Sequence, residues 1–170
     1  MNKPLAADVI VIGGGNAAFC AALAAREQGA SVMMLERAPE EEAGGNSRFT
    51  AGAMRFVYDG ISDLKQLMPD LSKEELANTD FDEYTESQFF DDMGRMTEYR
   101  ADPNLVEILV RESRATMLWM RSKGVRFMPM YGRQAFKVDG RFKFWGGLTV
   151  EAAGGGPGLI ESLTNSAERN

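Results

Sequence analysis

Hydrophobic and polar positions change their period several times along this chain, and each change marks an element. Residues 8–12, DVIVI, are a short run rich in β-branched residues that stops at glycine, which predicts a buried strand. From Asn16 the sequence NAAFCAALAAREQ is rich in alanine and other strong helix formers. Gly29 stands where a helix C-cap glycine belongs, and Phe19 and Cys20 fall on the packing side or turn of that helix. ASVMMLE then supplies a second short apolar strand ending in Glu36. Strand, glycine turn, helix and strand make a βαβ unit, with parallel pairing and a right-handed crossover.

The periodicity then loosens. Pro39 and Gly44-Gly45 break regular structure, and Asn46 and Ser47 are suited to cap a helix starting near Arg48. Residues 56–100 are acidic. LSKEEL carries a capping box of Ser72 with Glu75, and DFDEYTESQFFDDMGRMTEYR places aromatic and methionine side chains at helical spacing for a core, with carboxylates on a solvated face. Adjacent Asp91 and Asp92 diverge by about 100° on a helix, so they do not converge on one atom. In DPNLVEILVRESRATMLWMRSKG, Asp102 is the N-cap, Pro103 takes the first helical position and Gly124 ends the helix. Its expected face is Leu105, Ile108, Leu109, Glu112 and Trp119, with Trp119 as a core anchor. VRFMPM predicts a short strand, and AFKVDGRFKFW a hairpin turning at Asp139-Gly140, with Lys137, Arg141 and Lys143 expected on one face. GGGPGLIESLTNSAE closes the chain as a glycine-rich loop entering a helix.

The candidate chemistry sits in the first turn. Gly13, Gly15 and Ala18 fit the spacing G-x-G-x-x-[GA]. Gly13 makes the tight turn, Gly15 lets the backbone approach a pyrophosphate, and Ala18 permits close helix–strand packing. The helix N-terminus adds N–H donors and partial positive charge. Glu36, at the end of the second strand, is placed to take ribose hydroxyls and to repel a 2′-phosphate. No Gly-Lys-Ser/Thr follows the glycines, so a Walker loop is excluded. These features suit NAD and FAD equally.

Composition removes other classes. Net charge is −6, from 19 basic and 25 acidic residues, and no Lys/Arg-rich run offers a nucleic-acid footprint. The single cysteine excludes an internal disulfide framework and fits a reducing compartment. The N-terminal apolar run is too short for a signal peptide, and no run approaches the ~18 apolar residues of a membrane span. The expectation is a soluble, cytoplasmic chain. Histidine is absent, which excludes a histidine triad, a histidine metal site and a histidyl-linked cofactor within these residues.

DVIVIGGGNAAFCAALAA, followed by LERAP and GGNSRFTAGAMR, resembles the FAD-binding domain of the fumarate reductase/succinate dehydrogenase flavoprotein superfamily. Through GGGNAA, GGNS and MRSKGVRF it is most similar to the tricarballylate dehydrogenase branch. The resemblance implies an α/β, Rossmann-like FAD-binding domain with a βαβ N-terminus, a helical insert and a short β-hairpin. It implies that Gly13, Gly14, Gly15, Asn16, Ala17, Glu36, Arg37, Gly44, Gly45, Asn46 and Ser47 line FAD, with Ala51 and Gly52 next in line. Relatives often carry two glycines where this chain has Ala51-Gly52-Ala53. Covalently flavinylated members have a histidine near Asn46, so non-covalent FAD is implied here.

The activity implied is dehydrogenation of a C–C bond beside a carboxylate, or its reduction, on a small tricarballylate-like substrate, with an electron acceptor or re-oxidising protein as partner. Arg126, Arg133, Lys137 and Arg141 are candidates for binding substrate carboxylates, and Gly154–Gly156 for approaching flavin or substrate with backbone N–H groups. A ketosteroid-type FAD dehydrogenase and a non-catalytic dinucleotide-binding module are the alternatives. The expected organisation is one FAD-binding domain, N-terminal portion, over 1–170. It comprises a βαβ unit with the GGNS loop (1–55), a helical segment (56–124), and a strand, hairpin and glycine-rich loop (125–170). The superfamily is more than twice as long, so the chain reads as a truncated portion without the cap domain, inactive alone.

Overall fold

The computed structural model describes residues 6–169; readings made of residues 1–5 and of Asn170 lie outside it. The chain divides into two compact units. The first comprises residues 6–52, Lys123–Val125 and residues 152–169; the second comprises Ala53–Ser122 and Arg126–Glu151.

In the first unit, β1 (Val9–Ile12) and β2 (Val32–Leu35) pair in parallel, with Val9 opposite Val32 and Ile12 opposite Leu35. Helix α1 (Asn16–Glu27) crosses between them, and Gly29 follows it at φ +83°, as a C-cap glycine should. At the far end of β1, Asp8 Oδ2 accepts hydrogen bonds from Ser31 N (2.9 Å) and Ser31 Oγ (2.7 Å), which fixes the strand register. A 3-10 turn at Glu40–Glu42 leads to the four-residue helix α2 (Gly45–Arg48). Helix α8 (Gly155–Arg169) packs on both α1 and α2. Phe19, Ala22, Leu23, Leu159, Ile160 and Leu163 are buried here.

Two expectations are corrected in this unit. Strand β1 is half-buried on one face and open on the other: Val9 and Val11 are half-buried, Ile10 and Ile12 are 55% and 85% exposed, and Leu35 beside them is 49% exposed. An all-apolar run states that a strand is suited to burial on both faces, and here only one is covered. Asn46 and Ser47 do not cap a helix at Arg48. The helix already begins at Gly45, capped by Gly44 at φ +123°, a backbone conformation that side-chain-bearing Asn and Ser avoid.

The second unit is built around β3 (Ala53–Met54), β4 (Phe127–Pro129) and β7 (Val150–Ala152), in the order β3-β7-β4. Around them stand α3 (Ile61–Leu67), α4 (Lys73–Asn78), α5 (Glu86–Met96), α6 (Pro103–Ser122) and the single turn α7 (Tyr131–Gln134). The Ser72/Glu75 capping box is present, and Thr85 with Gln88 forms a second one at α5. Asp102 Oδ1 accepts from Asn104 N at 2.8 Å, as an N-cap carboxylate does.

Helix α6 turns a different face inward from the one its pattern suggested. Val110, Ser113, Met117 and Met120 are buried, whereas Leu105, Ile108 and Leu109 are 66%, 60% and 46% exposed and Trp119 is only half-buried. The helix carries two apolar stripes, and the one that includes a serine wins because Ser113 Oγ accepts from Val57 N at 3.0 Å and donates to Val110 O at 2.8 Å.

The hairpin of β5 (Ala135–Val138) and β6 (Arg141–Phe144) turns at Asp139 and Gly140, both at positive φ as a two-residue primed turn requires. Its register pairs Val138 with Arg141, Lys137 with Phe142 and Phe136 with Lys143. Directly opposed residues share a face. Arg141 and Lys143 therefore lie with Phe136 and Val138, and Lys137 lies on the other face, its Nζ 4.6 Å from the Phe142 ring centroid. The expected three-cation face does not exist.

Candidate functional site

The strand-to-helix turn is the structural centre of the first unit. Gly13 N donates to Leu35 O at 2.8 Å, so the turn continues the β1–β2 ladder before the chain leaves it. Gly14 is buried, and a Cβ there would stand 2.8 Å from Glu36 Oε2. The bare glycine is what lets the acid at the end of β2 lie over the turn. Gly15 caps α1 with extended backbone and no side-chain hydrogen bond. The start of α1 thus carries the partial positive charge of a helix N-terminus.

Glu36 is exposed and folds back on its own strand end. Its Oε1 accepts from Ala38 N (2.8 Å) and Arg37 N (2.7 Å). Hydrogen bonds from the amides of Ala38, Arg37 and Gly14, with the nearby Arg37 charge, hold its carboxyl below the usual glutamate range. Glu36 is therefore a fixed carboxylate. Ile12, Gly13, Leu35, Glu36 and Arg37 line an open depression of ≈ 310 Å³. Apolar walls beside a carboxylate suit a ligand that presents a flat ring and a vicinal diol.

The GGNS segment comes to the same place. A Cβ at Gly15 would stand 3.5 Å from both Gly44 O and Ser47 Oγ, and one at Gly45 would stand 3.6 Å from Gly15 Cα. Ser47 Oγ accepts from Asn16 N at 3.1 Å, which ties the start of α2 to the start of α1. Asn16 Oδ1 in turn receives Cys20 Sγ at 3.6 Å, and burial pushes the Cys20 thiol above its ordinary pKa, so this cysteine stays protonated. Gly13, Gly14, Gly15 and Asn16 thus meet Glu36 on one side and Gly44, Gly45 and Ser47 on the other. Ala17, Arg37 and Asn46 are exposed on the same three segments. Two backbone runs separated by about thirty residues in sequence meet through glycines at van der Waals distance, an arrangement that fits the pyrophosphate of a dinucleotide.

Gly52 does not join this cradle. It is buried, its O accepts from Ala152 N at 3.0 Å, and a Cβ there would stand 2.9 Å from Gly155 C. Gly156 N, one of the amides expected to reach flavin or substrate, is spent on Thr50 O at 2.9 Å. Sequence reasoning took these two glycines for ligand contacts, and both serve close approach of one backbone to another.

The proposed carboxylate-binding cations lie in the second unit, and three of the four are engaged there. Arg126 Nε pairs with Asp70 Oδ2 at 2.7 Å, Lys137 lies over Phe142, and Arg141 donates to Thr79 O at 3.0 Å. Arg133, exposed on α7, has no hydrogen bond, ion pair or ring contact among the described residues. The pattern missed Arg55. Its guanidinium donates to Gly146 O, to Trp145 O (3.3 Å) and to Thr149 Oγ1 (3.2 Å), stands 3.6 Å from Asp92 Oδ2 and lies over the Tyr84 ring at 5.0 Å. Asp92 also accepts from Tyr84 OH (2.8 Å) and Arg95 (2.6 Å), so it belongs to an ion-pair network and forms no acid dyad with the exposed Asp91. The glycines of WGGL, tight against Arg55 and Tyr84, were the sequence signal for it. Among the described residues, no cluster of His, Cys, Asp or Glu is arranged to hold a metal, and no helix is long and apolar enough to cross a membrane.

The FAD binding domain family matches residues 8–167, and the chain belongs to it. FAD is the cofactor of that domain. The chain is 28% identical over 164 residues to a fumarate reductase (cytochrome) of Shewanella frigidimarina, covering 96% of this chain and 25% of that protein. It is 29% identical over 160 residues to the probable fumarate reductase Ifc3 of S. frigidimarina (strain NCIMB 400), covering 94% and 24%. Among solved structures, the open conformation of a flavocytochrome c3 fumarate reductase matches with a TM-score of 0.63 at 25% identity, over 96% of this chain and 25% of that one. A 3-ketosteroid-Δ4-(5α)-dehydrogenase from Rhodococcus jostii RHA1, in complex with 4-androstene-3,17-dione, matches at 0.64 and 20% identity, over 96% and 36%; at that identity the likeness shows the fold alone. The chain spans about a quarter of the length of the curated relatives it matches.

Proposed function

We propose that this FAD-binding domain serves an oxidoreductase that dehydrogenates a C–C bond beside a carboxylate, or reduces the corresponding alkene, on a small tricarballylate-like substrate. The observation that carries the reading is the extent of the match. Two fumarate reductases align with 94–96% of the chain, both units included, and not with the glycine turn alone. Fumarate, named for those relatives, is itself an alkene flanked by carboxylates. The similarity of GGGNAA, GGNS and MRSKGVRF to the tricarballylate dehydrogenase branch supports the finer assignment. The steroid dehydrogenase, at 20% identity, bears on fold and not on substrate.

FAD supplies hydride transfer when bound, and the protein supplies its seat and the orientation of substrate. In this reading, Gly13, Gly14, Gly15, Asn16 and Ala17 form the pyrophosphate seat at the start of α1. Glu36, kept ionised by the amides beside it, takes the ribose hydroxyls, with Arg37 at its flank. Gly44, Gly45, Asn46 and Ser47 close over the pyrophosphate and the flavin edge. The cofactor is held without a covalent link, consistent with a chain that contains no histidine. Arg133, whose cation is uncommitted among the described residues, is the substrate-carboxylate candidate in this chain. An electron acceptor or re-oxidising protein completes the cycle.

The test is a titration followed by a reaction. FAD added to the purified chain is expected to give a yellow, non-dialysable complex that releases all its flavin on denaturation. Photoreduced full-length gene product is then expected to be re-oxidised by an unsaturated di- or tricarboxylate. A colourless protein that refuses FAD, or a flavoprotein re-oxidised only by a steroid enone, would falsify the proposal.

A further inference from the structure

The start of α8 looks like a ligand loop in sequence, three glycines and a proline entering a helix, yet its contacts are with protein. A Cβ at Gly156 would overlap Ser47 O and stand 2.7 Å from both Arg48 O and Thr50 O. Gly156 N donates to Thr50 O at 2.9 Å. These carbonyls belong to α2 and the residues just after it, at the C-terminal end of that helix. The negative end of α2 therefore abuts the positive end of α8. Thr50 shapes the contact from the other side: its Oγ1 donates to Ser47 O at 2.8 Å and accepts from Gly52 N at 3.0 Å. Above it, a Cβ at Gly44 would stand 3.2 Å from Ile160 of α8.

Ser47 is the link to the cofactor seat. Its carbonyl faces Gly156, and its hydroxyl accepts from Asn16 N at 3.1 Å. A push on that carbonyl moves the residue that joins the GGNS turn to the start of α1. We infer that Gly156 is a positioning residue for FAD: its missing side chain lets α8 clamp the C-terminal end of α2 and so sets the Gly44–Ser47 turn against Gly15 and Asn16. The role rests on the reading of that turn as part of the FAD seat. It assigns α8 to shaping the seat and leaves pyrophosphate contact to α1.

The experiment compares FAD dissociation constants, measured by flavin fluorescence, for the unmodified chain, Gly156→Ala, Gly29→Ala and Thr50→Ala. Gly29 lies in the same unit at φ +83° with nothing within 4 Å of an added Cβ, so its substitution strains the backbone without touching the α2–α8 contact. Gly156→Ala is expected to weaken FAD at least tenfold while AMP, which engages the Glu36 side of the seat, competes as well as before. Gly29→Ala is expected to lower the melting temperature and leave FAD affinity unchanged. Should Gly156→Ala fail to fold, Thr50→Ala adds no atom and removes the hydroxyl that holds Ser47 O and Gly52 N in place beside Gly156, and is expected to weaken FAD severalfold. Unchanged FAD affinity in a folded Gly156→Ala protein overturns the inference, as does unchanged affinity in Thr50→Ala. Loss of FAD and AMP together overturns it too, since that reports general disruption. An unmodified chain that refuses FAD overturns instead the reading on which the inference rests.

Discussion

The two units are held together by different parts of the polypeptide. The first is assembled where backbones touch: Gly45 on Gly15, Gly52 on Gly155, Gly156 on three carbonyls. The second is assembled by side chains reaching backbone. Tyr58, 1% exposed, donates its hydroxyl to Phe81 O (2.6 Å) and accepts from Leu148 N (2.8 Å), and Arg55 ties Trp145, Gly146 and Thr149 together. Burial pushes the Tyr58 and Tyr84 phenols up to about 12. The difference follows from what each unit presents. Amides can cradle a phosphate only where no side chain stands between, so a seat made of backbone must also be packed by backbone. Substitutions in the first unit should therefore be read in cofactor affinity, and those in the second in stability.

The largest break in that division should come from Gly14→Val. Its branched side chain displaces Glu36 and fills the turn, and FAD affinity is expected to fall about a hundredfold, near 2.7 kcal/mol, by flavin titration. A smaller loss would mean that the seat yields more easily than glycine packing implies. Tyr58→Phe is the converse. Two buried backbone groups lose their partner, so unfolding in urea should report a loss of about 2 kcal/mol with FAD affinity unmoved. The same tyrosine sets an alkaline limit. A phenol whose pKa is raised by folding contributes stability that is full below the unfolded value near 10 and is lost as pH rises toward about 12. Tyr58→Phe should blunt that loss, and a stability curve as steep as before would remove Tyr58 from the account.

Glu36→Gln sharpens the comparison within the first unit. The amide keeps the size and loses the charge, and affinity for FAD is expected to fall roughly tenfold, or ~1.4 kcal/mol. Discrimination against a 2′-phosphorylated dinucleotide should weaken at the same time. The smallest effect belongs to Asp8, whose carboxyl is held below its ordinary value by hydrogen bonds from the Ser31 side chain and amide. A depressed carboxylate contributes stability above its unfolded pKa and loses it as pH falls through the folded one. Asp8→Asn should accordingly lower the melting temperature slightly at pH 7 and flatten its fall below about pH 4.

These contrasts also explain which parts of the molecule were legible in sequence. The βαβ unit, its parallel pairing, the Gly29 cap, the Ser72 and Asp102 caps and the Asp139-Gly140 turn each depend on residues within one or two turns of chain, and each is present. The convergence of Gly13–Asn16, Glu36 and Gly44–Ser47 was legible because family resemblance carried long-range information that periodicity lacks. What failed was choice of face. Helix α6 has two apolar stripes, and nothing local says that Ser113 will satisfy Val57 N and pull its own stripe inward. In the hairpin, counting alternation along the sequence across the turn misassigned Lys137, because a two-residue turn places Val138 opposite Arg141. The glycines of α8 were misread for a related reason: a glycine needed for ligand approach and one needed for backbone approach look identical until the neighbour is known.

One open surface has a practical bearing on handling the chain. Ile10, Ile12 and Leu35 lie side by side on the uncovered face of a two-stranded parallel sheet. Such a sheet offers both a greasy plane and unpaired strand edges. Colloidal behaviour should follow from it: light scattering that rises with protein concentration, worsens with sulfate, and recedes when Ile12→Lys places a charge in the plane.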